Sequence, residues 1–233
     1  WIVGKGLDIC RQAVDAAVVR IQSLEDVFSI YRPDSEFSRW QQSLHEAVPI
    51  SRDLATVLLA AERFREMSGG AFCPVSPWPK TDPAWHVDEL ALTATRLADR
   101  AASLNAIAKG FIADEAVRAA QEIYGVQAVM INLGGDLCHA GKRGIWAGVA
   151  DPFHDAENAP PLDRVWIRNS ALATSGTYRR GEHLIDPTTG EPARGTVSVS
   201  VIASTAMEAD AISTICFVLS AQDALKFADT QLN

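Results

Sequence analysis

Cysteine is scarce and scattered. Cys10, Cys73, Cys138 and Cys216 are the only four in 233 residues, and no two form a C-x-x-C pair. That spacing argues against zinc ribbons and thioredoxin-type redox sites, and an even count by itself establishes no disulfide. Basic clusters are missing as well. Lys and Arg number 21 against 29 Asp and Glu, for a formal charge of −8 and a pI near 5.1. No run of Lys and Arg exceeds two or three residues, which argues against a nucleic-acid surface. Nor is there a long apolar run: ICFVLSA (215–221) is among the longest, well short of the roughly 18 residues of a membrane span. The phosphate-binding pattern G-x-x-x-x-G-K-[ST] does not occur. The chain opens at Trp1 with no signal-peptide pattern, and we read it as a mature or excised piece.

What the chain does hold is 48% hydrophobic residues, enough for a sizeable core in one large domain or two closely joined halves. Leu7, Cys10, Val14, Ala17, Val18, Ile21, Leu24 and Phe28 recur at helical spacing and predict an amphipathic helix over 7–29. A turn at Pro33–Asp34 follows. Leu54, Val57, Leu58, Ala61 and Phe64 predict a second helix, over 54–67, stopped by Gly69–Gly70. AFCPVSPWPKTDP, with four prolines in thirteen residues, reads as an irregular loop. A helix is expected over 107–124, then a buried strand, VQAVMINLGGD, running into a glycine turn. GIWAGVA and RVWIRNSALATS read as further strands. TVSVSVIA (196–203) alternates at period two, as a half-buried strand does. DPFHDAENAPPLD (151–163) reads as a polar surface loop. Helices that fall between groups of strands at hairpin-like spacing favour an α+β fold with largely antiparallel sheets and packed helices.

The last apolar stretch, ADAISTICFVLS (209–220), carries Asp210 and Thr214 four residues apart. On a helix they share one face and offer two hard oxygens, a pairing that suits Mg²⁺. A helix N-cap at Asp210 with Thr214 as first-turn filler is the plainer reading of these residues alone. LNAIAKGF (104–111) sets Lys109 and Gly110 at a helix opening, where free amides and a lysine favour an anion. NLGGD (132–136) is a tight turn or a ligand contact. ATSGTY offers the donors Thr174, Ser175 and Gly176, and HLIDPTTGEPA places His183 and Asp186 at a turn built on Pro187 and Gly190.

Taken in order, YRPDSEFSRW, GGAFCPVSPW, LNAIAKGF, NLGGD, ATSGTY, HLIDPTTGEP and ADAIST resemble the ApbE family, the FAD:protein FMN transferases, over roughly residues 27–220. The resemblance implies one ApbE-like domain over 1–233, lacking the family's N-terminal Met-Gly-Thr strand and its usual C-terminal end. It implies binding of FAD as substrate and of Mg²⁺. The flavin pyrophosphate would be cleaved and FMN joined through a phosphoester to a Thr or Ser of an acceptor flavoprotein, such as a subunit of a membrane redox complex. The alternatives are an FAD pyrophosphatase releasing FMN and AMP, and a flavin-binding relative impaired in catalysis. By the resemblance, Asp210, Thr214 and the main chain of Ala106 would hold the ion. Tyr31, Ala71, Phe72, Cys73, Ser103, Lys109 and Ile185 would contact flavin and nucleotide. His183 would act as general base, with Asp186 orienting it or fixing the turn. The family commonly carries Asp where this chain has Cys73 and Ser103, which implies altered adenosine contacts. A bacterial periplasmic or envelope setting follows by analogy alone.

Overall fold

The computed structural model of the chain describes residues 1–75, 83–154, 159–177, 184–187, 189–193 and 196–231. A five-stranded sheet runs in the order β1 (Ile2–Gly4), β5 (Val126–Leu133), β6 (Asp136–Gly141), β9 (Ser170–Gly176), β10 (Ser198–Ala203). Every pairing in it is antiparallel. Leu133 pairs with Asp136 across Gly134 and Gly135, which take φ of 62° and 108°. Two successive positive φ values form the tight hairpin turn that glycine makes at least cost. Alternation along β6 then sends Asp136, Cys138 and Ala140 to one face, and Leu137 and His139 to the other.

On the first face lie three helices, α1 (Leu7–Phe28), α4 (Ala108–Gln121) and α5 (Ala206–Val218). Their shared core with the sheet is built from small residues: Ala13 and Ala17 of α1, Ala113, Ala116 and Ala120 of α4, Ala206 and Ala209 of α5, with Val129, Ala171, Ala173 and Ala203 beneath. The opposite face is covered by a two-stranded ribbon, β7 (Ile145–Val149) and β8 (Asp163–Ile167), whose Ala147 and Ile167 pack on Leu172. A second core gathers α2 (Glu36–Gln42), α3 (Arg52–Met67) and a three-stranded sheet ordered β2 (Ala47–Pro49), β4 (Thr93–Arg96), β3 (Trp85–Asp88). α5 separates the two cores. Its Ala206 and Ala209 belong to the first and its Ala211, Ile212, Ile215 and Cys216 to the second. That position explains why the helix is apolar nearly all round. α6 (Ala221–Gln231) packs back on α5.

The stripe expected on α1 holds at Ala17, Leu24 and Phe28, which are buried. It is corrected at Leu7, Val14 and Val18, which are 66%, 47% and 44% exposed, while Ala13 and Val27 are buried in addition. Alanines let α1 approach α4 closely, so the docked face is the one with small residues and not the one with most hydrophobic side chains. The stripe of α3 is as expected, with Leu54, Val57, Leu58, Ala61 and Phe64 all buried. The helix itself begins earlier than residue 54, because Ser51 caps it by accepting from the Leu54 amide. α2, opened by the same kind of Ser cap at Ser35, follows the expected Pro33–Asp34 turn, where no element was expected. Val201 and Ala203 of β10 point inward and Ser200 and Ile202 outward, as the alternation required.

Candidate active site

The site is built where α4 crosses α5. Gly110 packs directly on the first peptide of α5: a Cβ there would lie 2.2 Å from the Ala206 carbonyl oxygen. One turn further along α4, the Asp114 carboxylate accepts from the amides of Ala206 (2.7 Å) and Met207 (2.9 Å) and from the Cys138 thiol (3.2 Å). Thr205 Oγ1 accepts from the Glu208 amide, so the first three amides of α5 are all satisfied. Burial pushes the Asp114 carboxyl up, opposed by these amide bonds, and burial likewise pushes the Cys138 thiol up. This docking fixes the axial setting of α5, and with it the place of Asp210 one turn later.

Asp210 is 4% exposed and accepts from the Gly110 amide at 3.4 Å. It lies in the second turn of a helix whose N-cap is Thr205, which removes the N-cap reading of Asp210. The Lys109 ammonium stands 3.8 Å from Asp210 Oδ1 and is hydrogen-bonded to Asp136 Oδ2. Three charged side chains from α4, β6 and α5 therefore share one place. Ser175, at the end of β9, reaches the same helix: its Oγ lies 2.8 Å from Ser213 Oγ and 3.3 Å from Thr214 Oγ1. Ser213 also donates to the Asp210 carbonyl at 2.9 Å. The result is two buried carboxylates sharing one lysine, with three hydroxyls joined to the same turn of α5 through the Asp210 carbonyl.

Asp136, Ser175, Ser213 and Asp114 were not among the expected site residues. A glycine-turn signal marked Asp136 and a donor cluster marked Ser175, but neither showed which partner it would meet. Thr174, from the same cluster, points to the opposite face and pairs with Ser200 Oγ at 2.8 Å. Among the expected residues, Ala106 sits half-buried in the turn before α4, next to Ile107 of the core. The loops carrying Cys73 and Ser103 are tied together, the Ser103 amide donating to the Pro74 carbonyl at 2.7 Å. Cys73 Sγ donates to the Val75 carbonyl at 3.0 Å. Ala71 packs against the second core, and the Phe72 ring is buried 6.0 Å from that of Phe64, leaving main chain for any ligand contact there. Tyr31 is 90% exposed between α1 and α2. Ile185 bridges to Pro192 in a short hairpin, in which the Asp186 amide donates to the Glu191 carbonyl and the Asp186 carbonyl accepts from the Gly190 amide, both at 2.8 Å. His183 lies outside the described residues.

A Mg²⁺ ion demands hard oxygens, and one or two carboxylates suffice when substrate phosphates complete its shell. No group of three or more His, Cys, Asp or Glu able to hold a metal occurs among the described residues. The Asp210 carboxylate and the Thr214 hydroxyl, one turn apart on α5, are the one-carboxylate kind of donor set, and their chemistry fits the ion.

The ApbE family model matches residues 3–77 and 79–233 of the chain. An FAD:protein FMN transferase of Treponema pallidum is 31% identical, across 89% of this chain and 71% of its own length. One from Haemophilus influenzae is also 31% identical, across 88% and 73%. Among solved structures, an ApbE protein of Thermotoga maritima superposes with a TM-score of 0.85 at 24% identity, covering 97% of this chain and 84% of that one. The apo form of a Pseudomonas stutzeri flavinyl transferase superposes with 0.77 at 20% identity, covering 97% and 80%. The structural likenesses show the same α+β fold.

Proposed function

This chain belongs to the ApbE family, and from that premise we propose that it is an FAD:protein FMN transferase that works with Mg²⁺. In the proposed reaction a Thr or Ser hydroxyl oxygen of the acceptor attacks the FMN-side phosphorus of FAD. A new P–O bond forms, the P–O bond to AMP breaks, AMP leaves, and the hydroxyl proton passes to a base. His183 is the residue we assign to that base, and Asp186, in the hairpin just after it, the residue that orients it.

The observation that carries the reading is the convergence of Lys109 and Asp210, from α4 and α5, at 3.8 Å, with the Ser175–Ser213–Thr214 hydroxyls joined to the same turn of α5 through the Asp210 carbonyl. Asp210, Thr214 and the Ala106 carbonyl would hold the ion, which when bound neutralises pyrophosphate charge and polarises its oxygens. Lys109, in the first turn of α4, adds a cation that meets the same phosphates. The backbone near Ala71 and Phe72 and the side chains of Tyr31, Cys73, Ser103 and Ile185 would bound the rest of the dinucleotide.

The test is to incubate the chain with FAD, MgCl₂ and a flavin-free redox-complex subunit that natively carries covalent FMN. The expected result is a fluorescent flavin on the acceptor, one AMP released per flavin attached, and loss of both in Asp210→Asn and with EDTA. Cleavage of FAD to FMN and AMP at the same rate with and without acceptor would establish the pyrophosphatase reading instead. The joined loops of Cys73 and Ser103 motivate a third outcome, FAD that fails to bind until Cys73→Asp and Ser103→Asp are introduced together.

A further inference from the structure

Asp136 has no role in the reaction as derived above, yet it is a carboxylate only 2% exposed, set at the start of β6 by the Gly134–Gly135 turn and aimed at α4. A buried carboxylate without a counter-charge is strongly unfavourable, and the Lys109 ammonium supplies one. Lys109 also stands 3.8 Å from Asp210. A lysine ammonium is a compact charge on a flexible stem, so it settles on whichever anion holds it better. Two acids within reach of one lysine therefore divide it between them.

We propose that Asp136 is a positioning residue: it holds the Lys109 ammonium away from Asp210, so that a divalent cation and not the lysine neutralises the Asp210 carboxylate. This rests on the reading of Asp210 as a Mg²⁺ ligand. With Asp136 in place, a dication arriving at Asp210 repels Lys109 toward an acid already bonded to it, and the ammonium remains at the edge of the site where phosphate charge would lie. With Asp136 removed, Asp210 is the remaining acid that the structure places beside Lys109, and the ion has to displace the lysine before it can bind.

A thermodynamic cycle separates this from a plain field effect, since removing any nearby negative charge weakens cation binding. Mg²⁺ is titrated calorimetrically into the FAD-free protein as wild type, Asp136→Asn, Lys109→Met and the double variant, each checked for folding by circular dichroism. Asp136→Asn is expected to weaken Mg²⁺ binding by roughly tenfold, and Lys109→Met to bind at least as tightly as wild type. The double variant is expected to bind like Lys109→Met, because Asp136 acts only through the lysine. If Asp136→Asn weakens binding by the same factor with and without Lys109, or has no effect on the wild type, the proposal is overturned. A wild type that binds FAD but takes up no Mg²⁺ refutes the metal-ligand reading of Asp210, and this inference with it. Asp136→Ser, also uncharged, runs the same cycle where Asp136→Asn does not fold.

Discussion

Gly110 and Ala206 meet backbone to backbone. A Cβ on Gly110 would lie 2.2 Å from the Ala206 oxygen, 2.5 Å from its carbonyl carbon and 2.6 Å from the Met207 nitrogen. All three are main-chain atoms, so no side-chain rotation relieves the contact. Gly110→Ala forces α4 and α5 apart, at a cost of about 1–3 kcal/mol or more for an overpacked core. The Ala106 carbonyl before α4 and Asp210 on α5, two of the proposed ion ligands, separate with the helices, so Mg²⁺ affinity should fall together with the denaturation midpoint. A variant with wild-type affinity at reduced stability would show that the site does not depend on this docking.

Asp114 terminates α5 from another helix. Asp114→Asn keeps one acceptor oxygen but turns an NH₂ group toward amides that also donate. The expected loss is about 1–2 kcal/mol, read from urea denaturation. Hydrogen exchange should quicken at the Ala206 and Met207 amides, which Asp114 accepts from, and stay slow at Glu208, which Thr205 caps. Thr205→Ala should give the reverse pattern.

Arg20 ties three helices together. From α1 it donates to both oxygens of Asp53 on α3 and, through Nε and Nη2, to Glu115 on α4. Arg20→Met leaves Glu115 nearly buried with only Arg118 for a partner among the described residues. The Arg20 side chain retains 27% exposure, so we expect about 2–3 kcal/mol, below the full cost of breaking a buried pair. Arg20→Lys should recover little, because one ammonium cannot serve two carboxylates in fork geometry. Thermal denaturation of the two variants side by side checks this.

His139 makes stability depend on pH. Burial depresses its imidazole below the ordinary value of 6.5, and Nδ1 accepts from the Asn169 amide at 3.3 Å, which requires the neutral ring. As pH falls through about 6.5, the unfolded chain takes up a proton that the folded one refuses. Stability should therefore drop with acidification in that window, until the folded imidazole itself titrates. Asp114 acts with the opposite sign at lower pH: its raised carboxyl holds a proton in the folded state that the unfolded state has lost, so its contribution grows as pH falls through the folded value. Denaturation midpoints of the wild type and His139→Gln from pH 8 to 5 decide the matter. The variant should be less stable at pH 8 and should show a flatter decline.

Local order was legible where one residue type has one physical use. The apolar stripe of α3, the period-two alternation of β10 and the Gly134–Gly135 turn each follow from spacing and φ alone. α1 was read correctly at Ala17, Leu24 and Phe28 and misread elsewhere because hydrophobicity was counted where closeness of approach mattered: Ala13 packs with the alanines of α4, and Leu7 and Val14 face water. α2 was missed because seven residues hold too few turns to show a period.

The order of short motifs carried the family, and the pair Asp210–Thr214 carried the suspicion of an ion site, because four residues on a helix always share a face. Spacing along the chain could not show that Lys109, Asp136, Ser175 and Asp210, drawn from two helices and two strands, arrive at one place. That was decided by the tertiary structure: a glycine that lets two backbones touch, a carboxylate that caps a neighbouring helix, and a hairpin turn that aims Asp136 inward. Each is a contact between segments distant in sequence, and its geometry depends on how faces dock, which local periodicity does not encode.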